Sequence, residues 1–368
     1  MIKILLLAPS KQDPGGVASF CKLLIKYLDH DFSVDYLEIA NRPGNSSIVK
    51  QAYFFLSDTI TLIRRLKRKE YKVIHLNPSF KILALIRDSF FLVISSRFYH
   101  QRTLVIFHGW DESLIDKIIG NPLLKKFFLW VYNKAMLILV LCTRFKEQLE
   151  KIGISQDNVR VITTMYQAKE LKSKGYKKRQ NSKMNILFMS RILRSKGAFI
   201  AVEVARLFKE NGYKNVKLHI AGDGPDFAEL KNRIVELKLC NYVKAKGYLS
   251  GEEKLVILNT SDIFLFPTYY GEGCPIVLLE ALGFGLAVVS TPIAAIPEII
   301  EHGINGFIID SKNPIDFFNA TRELIDNHAL LRDMQNVNRK KAIRNYDARA
   351  VSHKIGVFYH ELIKQKIQ

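Results

Sequence analysis

The stretch IFLFPTYYGEGCPIVLLEALGFGLAVVS (residues 263–290) contains a short apolar run, a Gly/Pro-rich corner, a helix-length apolar segment and a second short apolar run. Two such runs on either side of a helix indicate parallel strands joined by a crossover. Pro275 suits the first turn of the helix, because its φ is fixed and its missing N–H is not needed there. The helix is predicted from Ile276 to about Leu282. The stretch therefore predicts one β-α-β unit of an α/β fold.

Similar apolar runs recur along the 368-residue chain, between segments of helix length. Runs that are apolar on both faces indicate parallel strands covered by helices on either side. A polar and basic segment, 169–183, divides the series. We therefore expect two doubly wound α/β domains, 1–168 and 184–349, joined by this linker. The strands are predicted at 2–8, 34–39, 73–76, 104–107, 137–141 and 159–162, and then at 185–189, 217–221, 243–245, 263–266, 287–290 and 307–309.

The composition is that of a folded protein with an anionic partner. Hydrophobic residues make up 48% of the chain, charged residues make up 24%, and the formal net charge is +20. Such a charge favours nucleic acid, an acidic membrane surface or a phosphorylated substrate. No apolar stretch reaches the ~20 residues of a membrane span and the N-terminal run has no cleavage signal, so we expect a cytoplasmic protein. The four cysteines lack metal-ligand spacing and are expected to be reduced, mostly buried thiols.

The corner of the opening stretch precedes a helix whose free N–H groups can bind a phosphate oxygen. Glu280 lies one turn beyond the start of this helix among apolar residues, and a buried carboxylate needs hydrogen-bond donors. A sugar diol supplies two donors, and Glu272 in the loop suits a second sugar. The same spacing also fits a helix-stabilising Glu280 and a solvated Glu272. The candidate phosphate-binding residues at the corner are Gly273, Cys274, Pro275 and Ile276.

Two cations and two glycines follow strands of the second predicted domain. Arg191 comes directly after a strand and Lys196 lies at the start of the next helix, so both suit charge-assisted hydrogen bonds to a diphosphate. Gly222 and Gly224, in the sequence GDGP, follow the next strand. Ligands of such folds bind at the carboxyl ends of the strands, which makes these residues binding-site candidates. Arg191 and Lys196 also fit ordinary surface cations.

The first predicted domain has two candidate positions after its strands. Gly15 and Gly16 follow the first strand and allow close approach of the backbone to a ligand before a helix begins at about Val17. His108 ends the sequence VIFH and can donate to or accept from a sugar hydroxyl. A Gly-Gly pair is also typical of a plain turn, and a histidine at a strand end is also typical of a structural residue.

This ordered set of motifs resembles the GT4-type family of retaining glycosyltransferases, which have the GT-B fold. The resemblance covers nearly the whole chain and is most specific over residues 188–310. It implies two Rossmann-like domains that face each other across a cleft, with the helix at 350–368 packed back on the first domain. The motifs that carry it are, in order, Gly15-Gly16, His108, Arg191 with Lys196, GDGP and the E-x7-E pair Glu272 and Glu280.

The resemblance also implies a reaction. Glu280 would hold the ribose of a nucleotide sugar, and Glu272 would hold hydroxyl groups of the donor hexose. Arg191 and Lys196 would neutralise the departing diphosphate, in place of a metal ion. A hexosyl group would pass, with retention, from a nucleotide diphosphate sugar to a saccharide or lipid-linked saccharide in cell-surface polysaccharide or glycolipid synthesis. We expect a UDP-sugar in preference to a GDP-sugar.

Two further residues receive roles from the same resemblance. Gly16 would approach the phosphates or the acceptor, and His108 would face the donor sugar. One departure from the family's pattern concerns a loop near the nucleotide, where the usual Gly-Gly appears as Ala294-Ala295.

Other functions fit parts of the sequence. A basic nucleic-acid-binding protein fits the charge, but no stacking-strand, helix-turn-helix or zinc pattern appears, and we expect no nucleic-acid partner. A nucleotide-sugar-modifying enzyme of the same fold stays open. A metal-dependent transferase is suggested only by Asp29-His30-Asp31, in a polar connector without further ligands. A nicotinamide enzyme would need G-x-G-x-x-G, which DPGGVAS lacks.

The segment LLKKFFLWVYNK (123–134) interleaves lysines with aromatic residues. This composition suits an interfacial helix on anionic lipid at the inner face of the cell membrane. It also fits a half-buried helix with a solvated basic face.

Overall fold

The computed structural model describes residues 1–13, 15–39, 48–68, 70–167, 183–271 and 273–365. They form two compact units. The first unit comprises Met1–Met165, Gly271–Cys274 and Ala348–Gln368, and the second comprises Tyr166–Tyr270 and Pro275–Asp347. The predicted linker 169–183 lies outside the described residues except for Lys183.

The first unit contains a six-stranded parallel sheet in the order β2-β1-β3-β4-β5-β6. Its strands are β1 Ile2–Ala8, β2 Phe32–Glu38, β3 Val73–Leu76, β4 Thr103–Ile106, β5 Leu137–Val140 and β6 Val159–Val161. Its helices are α1 Gly16–Tyr27, α2 Ile48–Lys67, α3 Ile82–Val93, α4 Glu112–Gly120, α5 Pro122–Tyr132, α6 Thr143–Ile152 and, near the end of the chain, α14 Ala348–Lys364.

The second unit contains another six-stranded parallel sheet, in the order β12-β11-β10-β7-β8-β9. Its strands are β7 Met184–Met189, β8 Val216–Ala221, β9 Val243–Ala245, β10 Ile263–Phe266, β11 Ala287–Ser290 and β12 Gly306–Ile308. Its helices are α7 Ala198–Glu210, α8 Phe227–Glu236, α9 Gly251–Thr260, α10 Ile276–Gly283, α11 Ile296–Ile299, α12 Pro314–Asp326 and α13 His328–Asn345.

The central strands form the core of each unit because their side chains are buried on both faces, as in β4, β5, β10 and β11. In β1, every residue from Ile4 to Ala8 is fully buried. All twelve predicted strands are confirmed, with bounds within two residues of those predicted. Among the described residues, none of the helices combines the length and the apolar character that crossing a bilayer requires.

Helix α14 completes the first unit by packing against α1. The hydroxyl of Tyr359, on this helix, lies 2.5 Å from Nδ1 of His75, in the middle of the first sheet. The carboxylates of Asp29 and Asp31 pair with His353 and His360 of the same helix, at 3.0 and 2.8 Å. The D-x-D sequence therefore has a structural role, in which its two carboxylates face histidines of a helix.

Candidate functional site

The strand order of the second sheet places β7 beside β10 at the point where the order of the strands reverses. Helices leave these two strands on opposite faces of the sheet, and this switch point is where doubly wound folds bind ligands. Arg191 and Lys196 both follow β7, and the segment 267–270 follows β10. The predicted diphosphate-binding cations therefore lie at the edge of the sheet where a ligand is expected.

The loops after β7 and β8 are packed backbone against backbone. The amide of Ile192 donates to the carbonyl of Asp223 at 3.0 Å. A Cβ at Gly222, whose φ is +146°, would lie 1.8 Å from the carbonyl oxygen of Ser190, and a Cβ at Gly224 would lie 2.3 Å from that of Ile192. Because any side chain at these positions would collide with backbone, both glycines fix the loop that carries Arg191.

The three cations of this loop have different surroundings. Arg194 pairs with Glu229, and its guanidinium carbon lies 4.4 Å from the centre of the Phe199 ring. Lys196 lies over the ring of Tyr270, with its Nζ 4.1 Å from the ring centre. Arg191 is exposed, and no carboxylate of the described residues pairs with it. Arg191 is therefore better placed than Arg194 to meet an anion.

The loop after β10 is tied to the same cations. The amide of Tyr269 donates to the carbonyl of Ser195 at 2.8 Å, and Tyr270 provides the ring beneath Lys196. Tyr269 itself lies under a second cation, since the Nζ of Lys312 is 4.5 Å from its ring centre. The loop after β7, which carries the cations, and the segment 267–270 after β10 are thus in direct contact at the switch point.

Helix α10 begins at Ile276, as predicted, and Pro275 is its N-cap residue. The predicted first-turn position of Pro275 is therefore wrong by one residue, because the φ of −66° is combined with an extended ψ of 117°. The four-residue segment ahead of it, Gly271–Cys274, groups with the first unit. There a Cβ at Gly273 would lie 2.7 Å from the carbonyl oxygen of His108. Glu272 lies outside the described residues.

Glu280 is largely buried, as expected, and its side chain is 17% exposed. The Nζ of Lys254, on α9, lies 2.6 Å from Oε1 of Glu280. The protein itself therefore supplies one of the hydrogen-bond donors that this buried carboxylate needs. Sequence reasoning missed Lys254, because it lies 26 residues before Glu280 and outside any motif. The ammonium holds the carboxylate in one orientation, which suits it to accept hydroxyl groups of a ligand.

The loop that departs from the family's pattern keeps a glycine-like backbone. Ala294 has a φ of +49°, in the left-handed region that disfavours a side chain. Ala294 thus holds a backbone conformation that glycine adopts more readily.

In the first unit, His108 follows β4 and is part of a hydrogen-bonded chain. Its Nε2 lies 2.9 Å from Oδ1 of Asn77, whose amide nitrogen donates to the carbonyl of Leu7 at 3.1 Å. The ring of Phe20, on α1, packs edge-on against the imidazole. The hydrogen bonds between His108, Asn77 and Leu7 link the ends of β4, β3 and β1. His108 therefore has a structural role in addition to any contact with a ligand.

The other first-unit candidates lie at the start of α1. Gly16 is the first residue of the helix, and Gly15 is its N-cap residue. The amide of Gly15 donates to Oδ1 of Asp13 at 2.6 Å. Gly15 has no side chain to cap the helix, so the first amide groups of α1 receive no hydrogen bond from an N-cap side chain.

Acidification should destabilise the first unit through two histidines. Burial lowers the pKa of His75, and likewise that of His108, from 6.5 to about 3. Between these values the unfolded chain binds protons that the folded chain does not, so the stability is complete above pH 6.5 and is lost towards pH 3. The slope should approach about 1.4 kcal/mol per pH unit for each histidine. Urea unfolding from pH 7.5 to 5 measures it.

A matched pair of variants separates this effect from general acid unfolding. His108→Asn should reduce the slope, whereas His328→Asn, at an exposed position on α13, should keep it. Equal slopes in the two variants would contradict the assignment of the pH dependence to buried histidines.

The described residues contain no group of three or more histidine, cysteine or carboxylate side chains that could hold a metal ion. In the arrangement that they do contain, positive charge at the switch point comes from Arg191 and Lys196. The chemistry that this arrangement supports is the binding of a diphosphate and the stabilisation of negative charge that develops on it.

Residues 169–341 match the family model described as "Glycosyl transferases group 1". Among curated proteins, the amylovoran biosynthesis glycosyltransferase AmsK of Erwinia amylovora is 28% identical over 212 residues, which are 56% of this chain and 51% of that protein. The chain thus spans about half the length of this curated relative. The glycosyltransferase MJ1069 of Methanocaldococcus jannaschii is 22% identical over 307 residues, which are 79% of this chain and 71% of that protein.

Solved structures match over almost the whole chain. Anabaena HepE in complex with UDP and glucose has a TM-score of 0.73 at 18% identity, with 98% of this chain and 100% of that chain covered. A glycosyltransferase from Rickettsia africae ESF-5 has a TM-score of 0.79 at 18% identity, with 99% of each chain covered. These similarities confirm the expected two-domain α/β GT-B fold. The similarity to group 1 glycosyltransferases is carried by the family match over residues 169–341 and by these relatives.

Proposed function

We propose that this chain, as a group 1 glycosyltransferase, transfers a hexosyl group from a nucleotide diphosphate sugar to a saccharide acceptor. The observation that carries the proposal is the pair Arg191 and Lys196 at the switch point of the second sheet, on a loop that Gly222 and Gly224 hold by backbone contact. The family match over the same unit supports it.

In the proposed reaction, the bond between the anomeric carbon and the diphosphate oxygen breaks, and a bond forms between that carbon and an acceptor hydroxyl oxygen. The proton of the hydroxyl passes to the departing diphosphate. Arg191 and Lys196, with the N-terminus of α10, neutralise the charge that develops on the leaving group, so no metal ion is needed for this role. The new bond forms on the face that the diphosphate leaves, which retains the configuration.

Glu280 is proposed to accept hydrogen bonds from the ribose hydroxyl groups, with Lys254 holding its carboxylate in place. The carboxylate accepts from a diol more strongly than a neutral group would. Glu272 is proposed to bind hydroxyl groups of the hexose, and His108 to face that sugar from the first unit.

The donor is proposed to be a UDP-sugar. The support comes from HepE, which was solved with UDP and glucose. The acceptor is proposed to be a saccharide or lipid-linked saccharide of a cell-surface polysaccharide, because AmsK is named for amylovoran biosynthesis.

Thermal unfolding with nucleotides tests the proposal. UDP at 100 times its dissociation constant should add about 2.7 kcal/mol to the free energy of unfolding, because it binds only the folded chain. EDTA should leave the shift intact, and GDP, ADP and CMP should give smaller shifts. Transfer of radiolabelled hexose to an acceptor then checks the activity. A shift with NAD alone, or with none of the nucleotides, would contradict the proposed site.

A further inference from the structure

Three helices of the first unit carry apolar side chains on the face that points to solvent. The exposed positions repeat at intervals of three and four residues, which places them in one row along each helix. We call these rows together the outer apolar surface. It comprises Val49, Tyr53, Leu56 and Ile60 of α2, Leu83, Ile86 and Phe90 of α3, and Leu123, Phe127 and Trp130 of α5, with exposures from 46% to 80%.

These rows are separate from the faces with which the helices pack on the sheet. In α2 the buried residues include Leu62 and Leu66, in α3 they include Leu85, and in α5 they include Phe128 and Val131. Each helix is therefore apolar on two sides. A surface helix of a soluble protein is usually polar on the side away from the core, so the second apolar side indicates a partner.

The three rows point to the same side of the first unit. From β2 through β3 and β4 to β5 the chain crosses the sheet in one direction, and right-handed crossovers put the connecting helices α2, α3 and α5 on one face. Helix α3 packs against both α2 and α5. The ring of Phe90, in the row of α3, lies 5.6 Å from the ring of Phe55, which is on α2 outside its exposed row, so the row of α3 borders directly on α2.

The charges on these helices are almost all positive. Their acidic residues are Asp58 and Asp88, which are 4% and 2% exposed, and Asp88 pairs with Arg87 at 2.8 Å. The basic residues are Lys50, Arg64, Arg65, Lys67, Arg87, Lys125 and Lys126. The outer apolar surface is thus accompanied by cations without an exposed carboxylate on the same helices, and this combination matches anionic lipid headgroups around an acyl interior.

Two features favour a lipid surface over a second copy of the chain. A two-fold dimer through this surface would place the same cationic helices opposite one another, in a chain whose net charge is already +20. Trp130 is held by Lys134, whose Nζ lies 4.7 Å from the ring centre. A tryptophan with an adjacent lysine is typical of the boundary between headgroups and acyl chains.

We propose that the outer apolar surface docks the first unit on an anionic lipid bilayer, with α2, α3 and α5 lying in the plane of the interface. The segment 123–134 is one part of this surface, and α2 and α3 extend it. The inference rests on exposure and charge alone and is independent of the proposed glycosyl transfer.

Trp130 supplies a direct probe, because the chain has two tryptophans and the other, Trp110, is buried. The full chain should float with phosphatidylglycerol-containing vesicles, and its emission should shift to shorter wavelength. Binding should weaken at least tenfold on pure phosphatidylcholine, because each cation near an anionic surface contributes about fivefold. Trp130→Phe should remove the emission shift. Equal binding to both lipids, or no emission shift, would overturn the proposal.

A triple variant tests the apolar rows. Leu56→Ser, Leu83→Ser and Phe127→Ser change one exposed residue in each helix and should weaken vesicle binding at least 100-fold, because burial of each side chain contributes about tenfold or more. Val235→Ser, Ile315→Ser and Ile343→Ser remove equally exposed apolar residues from the second unit and should have no effect. Equal binding by the two variants would overturn the proposal. A lipid-free dimer that the first variant converts to a monomer would identify a protein interface instead.

Discussion

Arg191→Met should lower kcat about 100- to 1000-fold while the free energy of unfolding stays within about 0.5 kcal/mol of wild type. The large effect is expected because a cation aimed at a leaving group acts in the transition state, where removal of one such contact has this magnitude. The small effect on folding is expected because Arg191 is exposed and no described carboxylate depends on it. Initial rates of hexosyl transfer and urea unfolding measure the two quantities.

Arg194→Met is the matched control, because it removes the same kind of cation from the same loop. Arg194 is already paired with Glu229, so its loss should change kcat by less than about tenfold. If the two variants lose activity equally, or if Arg194→Met loses more, the diphosphate does not lie where the proposed function places it.

Gly222→Ala should destabilise the second unit by about 3–5 kcal/mol. The added Cβ would lie 1.8 Å from the carbonyl oxygen of Ser190, and the φ of +146° is one that a side chain disfavours. Collision with backbone and backbone strain each cost about 1–3 kcal/mol, and here both apply. Urea unfolding of the full chain, monitored by circular dichroism, measures the decrease in the free energy of unfolding.

Gly212→Ala separates the two costs. Gly212 has a φ of +80°, but a Cβ there would meet nothing within 4 Å. Only the conformational cost of about 1 kcal/mol should remain. Similar losses in the two variants would show that backbone strain, and not the packing of the loops after β7 and β8, determines the stability at this edge.

Much of the fold is predictable from the sequence because strands in the middle of each sheet, such as β5, β10 and β11, are short and buried throughout. IFLF and AVVS can be neither long helices nor half-exposed strands, so their order along the chain determines the architecture. The ends of the strands are less predictable. Met184 of β7 pairs with Val216 of β8 because the two strands run side by side. Neither residue belongs to the strands predicted from the apolar runs, which begin one residue later.

The candidate site is predictable to the extent that its residues follow strands. Arg191, Lys196, Gly222 and Gly224 are found at carboxyl ends of strands because a parallel sheet brings those ends to one edge. The pairing of Lys254 with Glu280 is not predictable in this way, because it depends on how two helices align. The difference between Arg191 and Arg194 likewise depends on which carboxylate lies in reach.

The outer apolar surface could not be predicted from the sequence either. Phe54 and Leu56 look alike in the sequence, yet one is half-buried and the other is 60% exposed. Residues on both sides of α2 satisfy the same apolar pattern, so composition cannot show which row packs on the sheet. Only the direction in which the helix is rotated against the sheet decides it.

The position of Tyr359 has a consequence for the order of folding during synthesis. Its hydroxyl meets His75 inside the first sheet, and the side chain of Arg102 donates to the carbonyl of Leu362 at 2.9 Å. The ribosome makes α14 only after every residue of the second unit, so the first unit is begun first and completed last. Until α14 emerges, the side of the first sheet that it covers is exposed on the nascent chain, where chaperones that recognise apolar segments can bind it.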